Sequence, residues 1–348
     1  MLDIENSPLS HLTGASARIL EIQDKSGAIA WFRGSAWDAW NHGECVMALG
    51  VMGEHAAAQR GLDCLAARQN ADGSWLSEYG AVLPMADDEH VAREGAPAFH
   101  DTNMSAYCAV VLWHRWKLTG DSDMVRQYWP MVRAAMNFVL RMQRPEGDII
   151  WSVEGPTIGK DDALLAGNCS ILKSLACAIR LAIFNDDELA ARRYTAARVA
   201  LHDALIETPQ VFDRAGDDRS GFAMDWYYPV LGGVVDGEAA AEQLTSRWHE
   251  FVEDKAGCRC VSHEPWATIA ESAELVMACL RAGLFDEAER LLNWQEQWTD
   301  ETGAYWMGWQ FAERSLWPME RPSWTQAAVI LATDAMHQVT PAATVLLE

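Results

Sequence analysis

The 348-residue chain carries 50 Asp and Glu against 27 Lys and Arg, a formal net charge of −23. A field of that sign repels phosphate backbones and anionic lipid, which disfavours nucleic-acid and membrane partners and leaves a neutral small molecule open. Half the residues are hydrophobic, which excludes global disorder.

The opening MLDIENSPLS has no basic n-region and no apolar h-region, and no uninterrupted apolar run of about 18 residues follows. Cys45, Cys64, Cys108, Cys169, Cys177 and Cys279 fall inside helical patterns as small hydrophobes. Cys258 and Cys260 lack the two-residue spacer of redox or zinc motifs. The expectation is a cytoplasmic protein with no metal and no cofactor.

Apolar residues recur at three and four spacing, and alternating β-branched runs are rare. Gly, Pro and acidic clusters then delimit helices over 7–22, 35–51, 54–69, 101–118, 122–143, 163–183, 186–207, 222–235, 237–253, 265–282, 285–298 and 322–338. Connections alternate between tight turns, such as Met52-Gly53 and Thr119-Gly120-Asp121, and longer loops over 23–34, 70–100, 144–162, 208–221, 254–264 and 299–321.

Variants of one phrase recur in the long loops: Gln69-Asn70-Ala71-Asp72-Gly73-Ser74-Trp75, with relatives beginning at Gln23, Gln143 and Gln297 and a degraded copy at Asp254-Lys255-Ala256-Gly257. An acidic turn reversed through Gly, followed by an extended piece whose Trp packs or faces a cavity, marks a repeated hairpin unit. Six such hairpins can close on themselves, so the expected fold is all-α, an (α/α)6 barrel over residues 1–348. Even-numbered helices, apolar all round, line the centre; striped ones lie outside. The long loops, above all 70–100 and 299–321, then cover the N-terminal ends of the inner helices.

Leu118-Thr119-Gly120-Asp121, then Tyr128-Trp129-Pro130 and Gln143 with Gly147, resembles the hairpins of inverting glucoamylase-like enzymes of the six-hairpin toroid superfamily. That resemblance implies a central cavity binding sugars over aromatic residues, with two carboxylates performing hydrolysis. The phrase from Gln69 to Trp75 resembles, more weakly, the Gln-Trp repeat of terpenoid cyclases and prenyltransferases. The Asp-x-Asp-Asp proton donor of such cyclases is missing; Ala86-Asp87-Asp88-Glu89 is the nearest sequence.

Candidate catalytic groups are the polar residues at the starts of inner helices. Asp101, beside His100, opens the fourth helix, and Asp225 lies between bulky aromatics where desolvation would raise its pKa. Glu271 lies two turns into the tenth helix in apolar surroundings; Glu320 is released for another task if Ser323 caps the last helix, or forms a salt bridge to Arg321. His263, beside a capping Glu264, is a rim residue, and either it or His100 is the proton carrier if the chemistry is isomerisation. Glu154, Asp161 and Asp162 are weaker candidates with ordinary capping roles. Sugar-contacting candidates are Trp31, Arg33, Trp37, Asp38, Trp75, Trp151, Trp226, Tyr227, Tyr228, Trp306 and Trp309.

The expected function is an inverting-type glycoside hydrolase acting on a sugar or oligosaccharide in a Trp-lined cavity. A sugar isomerase or epimerase, a terpenoid cyclase or prenyltransferase-like enzyme, and a non-catalytic helical scaffold are the alternatives.

Overall fold

The computed structural model describes residues 4–80, 99–153, 162–214 and 218–348. Their helices are α1 (Thr13–Ile22), α2 (Ala39–Val51), α3 (His55–Ala67), α4 (Thr102–Ala106), α5 (Cys108–Thr119), α6 (Ser122–Arg141), α7 (Leu165–Phe184), α8 (Glu188–Glu207), α9 (Ala223–Leu231), α10 (Gly237–Ser246), α11 (Trp248–Phe251), α12 (Ile269–Arg281), α13 (Phe285–Gln295) and α14 (Ser323–His337). The expected fourth helix is divided at Tyr107 and the ninth at Arg247, and the tenth begins late because its first residues form a strand.

Helices α2, α5, α7, α9, α12 and α14 pack in that order, and α14 returns onto α2, so the ring closes. The remaining long helices form an outer layer: α1 on α14, α3 on α2, α6 on α5, α8 on α7, α10 on α9 and α13 on α12. Burial follows this division. In α2 everything from His42 to Val51 is buried, whereas α8 buries a single stripe through Ala190, Tyr194, Ala197, Leu201 and Ala204. Helix α7 is long and apolar enough to cross a membrane; here it is an inner helix wrapped by α5, α6, α8 and α9.

The recurring Gln and Gly residues join the two layers. Gln23 Nε2 donates to the carbonyls of Gly27 and Ala57, Gln69 Nε2 to those of Gly73 and Met131, and Gln143 Nε2 to those of Gly147 and Ala197. Three residues further along the same outer helices, each Gly lies against backbone: a Cβ on Gly27, Gly73 or Gly147 would fall 2.1, 2.1 or 2.3 Å from the carbonyl oxygens of Arg60, Ala134 or Ala200. Two residues after the Gly, the chain N–H bonds a polar side chain of an inner helix. The pairs are Ile29 with His42, Trp75 with Ser105, Ile149 with Asn168 and Tyr305 with Gln326. In the last copy Thr302 and Gly303 lie against Gly14 of α1, which closes the outer layer as well.

Among the described residues, two small antiparallel sheets occupy the loop face. One holds β1 (Trp75–Leu76), β2 (His100–Asp101) and β3 (Ser152–Val153); the other is a meander of β4 (Val252–Glu253), β5 (Gly257–Arg259), β6 (Trp266–Thr268), β7 (Gly308–Gln310) and β8 (Ser315–Leu316). Strand β2 runs directly into α4 and β6 into α12, so each sheet fixes the first turn of an inner helix. All eight cysteines are free.

Candidate active site

Inner helices are buried along most of their length, but their first turns are half-exposed. Trp40 and Asn41 of α2, Met104 of α4, Leu165 and Gly167 of α7, Met224 and Asp225 of α9, Ala270 and Glu271 of α12 and Trp324 of α14 all share this intermediate exposure. They mark the mouth of the barrel, on the long-loop face. Trp40 forms its floor: the indole lies 5.5 Å from the Tyr107 ring and 5.9 Å, edge to face, from Tyr228 on the far side of the ring. A side chain that touches both α9 and the α4–α5 junction from α2 crosses the barrel axis.

Carboxyls cluster around this mouth. Asp38 is fully buried as the N-cap of α2; Oδ1 accepts from the backbone N–H groups of Trp40 and Asn41, and Oδ2 from Trp31 Nε1 at 2.6 Å and Asn41 Nδ2 at 2.7 Å. Burial raises its pKa against those four hydrogen bonds. Asp101 is the N-cap of α4, accepting from Met104 N at 2.8 Å. Burial pushes its pKa up to about 7, reinforced by the neighbouring Asp38 charge.

Asp225, in the first turn of α9, accepts from Ala166 N, and its Oδ2 stands 3.4 Å from Arg219 Nε. The same guanidinium lies 3.8 Å from Asp213, which accepts from Leu165 N. Burial raises both carboxyls, Asp213 to about 6. Glu271 lies in the first turn of α12 and accepts from the Thr268 hydroxyl. It is therefore nearer the mouth than expected, because residues 266–268 are strand and the helix starts later. Burial raises the half-buried Glu320 carboxyl.

A second pair lies one turn deeper. Glu44 accepts from Trp40 Nε1 at 3.0 Å and the Tyr107 hydroxyl at 3.1 Å; Glu274 accepts from the Tyr228 hydroxyl at 2.7 Å and from that of Tyr227. Burial drives Glu44 up to about 7 and Glu274 up to about 8; the Asp38 charge adds to the rise at Glu44, and the Glu44 charge to that at Glu274. These two and Trp40 were not among the candidates. Their signal was present, since an acidic residue in an apolar inner helix needs a partner, and Trp40 and Glu44 are one helical turn apart.

Several nominated side chains are elsewhere. Trp75 is fully buried in the wall and donates to Leu65 O; Trp226 stacks on Phe251 at 4.8 Å and donates to Gln243 O in the outer layer. Trp37 is buried against Tyr79 at 4.5 Å. Arg33 is exposed and pairs with Glu21, and His263 is exposed beside Glu264. His100, on β2, meets Ser74 Oγ at 2.5 Å and Asp72 at 4.0 Å. Trp151 packs edge-on against Phe99, Trp309 stacks on Trp298, and Trp306 lies under the Arg321 guanidinium. Tyr227 and Tyr228 are buried as the donors to Glu274. Trp31 stays at the mouth, edge-on to Trp324 at 6.4 Å.

Two capping expectations are corrected. The N-cap of α14 is Pro322, because the Ser323 hydroxyl donates to Ala30 O; the N-cap of α12 is Thr268, with Glu264 exposed in the preceding turn. Arg321 pairs with Asp300 rather than with Glu320. Asp162 accepts from the backbone N–H groups of Ala163 and Arg214. Glu154, Asp161 and the stretch Ala86-Asp87-Asp88-Glu89 lie outside the described residues. Among those residues, no group of three or more His, Cys, Asp or Glu is placed to hold a metal ion.

No family model matches the chain. A glycosidase solved with glucose superimposes with a TM-score of 0.71 at 14% identity, covering 95% of this chain and 96% of its own. A bacterial glucoamylase complexed with acarbose gives 0.69 at 13% identity over 99% of this chain and 58% of its own. At such identities the likeness establishes the fold, a glucoamylase-like (α/α)6 toroid. An MMP endo-(1,4)-3-O-methyl-alpha-D-mannosidase of Mycolicibacterium hassiacum is 38% identical over 323 residues, 93% of this chain and 85% of that protein. The chain belongs to the glycoside hydrolase family of that mannosidase.

Proposed function

We propose that the protein is an inverting, endo-acting hydrolase of α-(1,4)-linked mannose oligosaccharides, with 3-O-methylated mannose the favoured unit. Identity to the mannosidase along nearly the whole chain carries the substrate class. Asp101 and Glu271 are the proposed acid and base, and their placement supports this assignment. Each is fixed by a strand that runs into its helix, and α4 and α12 stand on different sides of the mouth.

Asp101, with a pKa near 7 and no cation paired to it among the described residues, is suited to hold a proton at neutral pH. It would protonate the glycosidic oxygen as the bond to the anomeric carbon breaks. The Glu271 carboxylate would take a proton from the water attacking the opposite face, and one displacement inverts the configuration. Inversion needs the two carboxyls roughly 6.5–9.5 Å apart across the bound sugar. Trp31, Trp40 and Trp324 would supply stacking surfaces, and Asp225 with Arg219 hydrogen bonds to sugar hydroxyls.

The test is incubation of the purified protein with an α-(1,4)-linked 3-O-methylmannose oligosaccharide, following product lengths by chromatography and the newly formed reducing end by NMR. Internal cleavage with a β-anomer appearing first is expected. D101N and E271Q should each lower kcat by about 10²–10⁴-fold. An α-anomer appearing first overturns the inverting assignment, and release of terminal monosaccharide alone overturns endo action.

A further inference from the structure

Below the Trp40 floor, the barrel axis holds two carboxyls that form no ion pair among the described residues. Glu44 of α2 and Glu274 of α12 line one cavity together with Tyr107, Tyr228 and Met277. Their oxygens are met by three phenol hydroxyls and one indole N–H. The cation at this cavity, Lys173 of α7, is turned to the closed end, where it donates to the backbone carbonyls of Leu346 and Glu348. Arg180 and Arg281 bind the same terminal segment, at the Glu348 carboxylate and the Leu347 carbonyl.

The other groups facing the pair add negative charge or are neutral. Asp38 acts on Glu44 along α2, Glu271 acts on Glu274 along α12, Tyr227 and Tyr228 face it from α9, and Tyr107 from the α4–α5 junction. Helix α14 adds no titratable group to the cavity lining. Two unpaired like charges lining one cavity inside the barrel are costly: each ion pays desolvation and repels the other. Retention of one proton by the pair removes the repulsion and still leaves an anion to accept from the four donors.

We propose that Glu44 and Glu274 carry one proton between them in the working enzyme, and that this singly charged pair positions the Trp40 indole across the mouth as the surface on which the sugar stacks. The positioning half rests on the reading of the mouth as a sugar site; the shared proton does not. Trp40 is tied to the pair through its N–H and wedged against Tyr107 and Tyr228, which are tied to the same two carboxyls. Loss of the proton adds a second charge to the cavity, drives the carboxyls apart and loosens all three rings. Glu44 and Glu274 are positioning residues and touch no substrate.

The shared proton is read without substrate, from infrared difference spectra of the wild type against E44Q and against E274Q near pH 7. The expected result is one carboxylic-acid carbonyl band and one carboxylate band for the pair. Two carboxylate bands and no acid band overturn the proposal. Positioning is read from KM against pH. The wild type should show KM rising at least about threefold between pH 7 and pH 9, beside a fall in kcat from ionisation of Asp101 that wild type and E274Q share. E274Q cannot form the doubly charged state and should lack that rise. A wild-type KM that is flat over this range, or an equal rise in E274Q, overturns the positioning role. If the acid band is present but no oligosaccharide is cleaved, the shared proton stands and the sugar-site reading falls.

Discussion

The rings of Trp40 and Tyr228 meet edge to face at 5.9 Å, although α2 and α9 lie three places apart in the ring of inner helices. One aromatic contact therefore spans the barrel and divides it into an open mouth and a lower cavity. Truncation of Trp40 should join the two and remove the stacking surface. W40A is expected to lower kcat/KM by about 10²-fold, mostly through KM, and W40F by less than about tenfold. Steady-state kinetics with the 3-O-methylmannose oligosaccharide check this, and an unchanged KM in W40A would mean that Trp40 does not floor the sugar site.

The turn glycines offer a comparison inside one protein. Gly73 has φ +97° and a carbonyl oxygen 2.1 Å from where its Cβ would lie, whereas Gly53 has φ +79° and nothing within 4 Å. G53A should cost about 1–2 kcal/mol, the backbone penalty alone. G73A adds a clash with the α6 backbone that no side-chain rotation relieves, and should cost roughly 3–5 kcal/mol. Urea unfolding midpoints compare the two, and equal losses would show that the joint between layers gives way freely.

The toroid was legible because two independent patterns agree: helical periodicity along the chain, and the alternation of short turns with Gln-Gly loops. The Trp residues misled because the Trp75 and Trp226 side chains point into the wall and the outer layer, a direction the sequence cannot distinguish from one that faces a cavity. The two sheets escaped because strands of two or three residues are too short to show an alternating pattern. That omission displaced Glu271 by about one helix turn and made Glu264 seem a cap. Trp40 and Glu44 were hidden by the apolar character of α2 around them, and Glu274 by its nearness to Glu271, which drew the functional reading.

Arg219 stands between Asp213 and Asp225, and its guanidinium also covers the Phe222 ring at 4.6 Å. Both carboxyls already sit above their ordinary range through burial, and removing the cation raises them further. A carboxyl with a raised folded pKa contributes stability below its unfolded pKa and loses it as pH rises through the folded value. R219A should therefore be nearly neutral near pH 5 and cost about 1–3 kcal/mol near pH 8, a range discounted for the partial exposure of the guanidinium. Urea midpoints at the two pH values test this, and an equal deficit at both would show that Arg219 acts through packing on Phe222.

Asp101 gives the opposite sign for a substitution at a proposed catalytic group. Its pKa is about 7 in the folded protein against ~3.9 in the unfolded chain. Between these values the folded state holds a proton that the unfolded state has lost, so stability falls as pH rises through this window. Asn keeps the N-cap hydrogen bond to Met104 N and carries no ionisable group. D101N should match the wild type near pH 3–4 and exceed it near pH 8 by a few kcal/mol, while losing most activity at both. Denaturant midpoints of the two proteins across this range provide the check. A constant difference from pH 5 to pH 8 would mean that Asp101 ionises in the fold without penalty, and it would then be a poor proton donor at neutral pH.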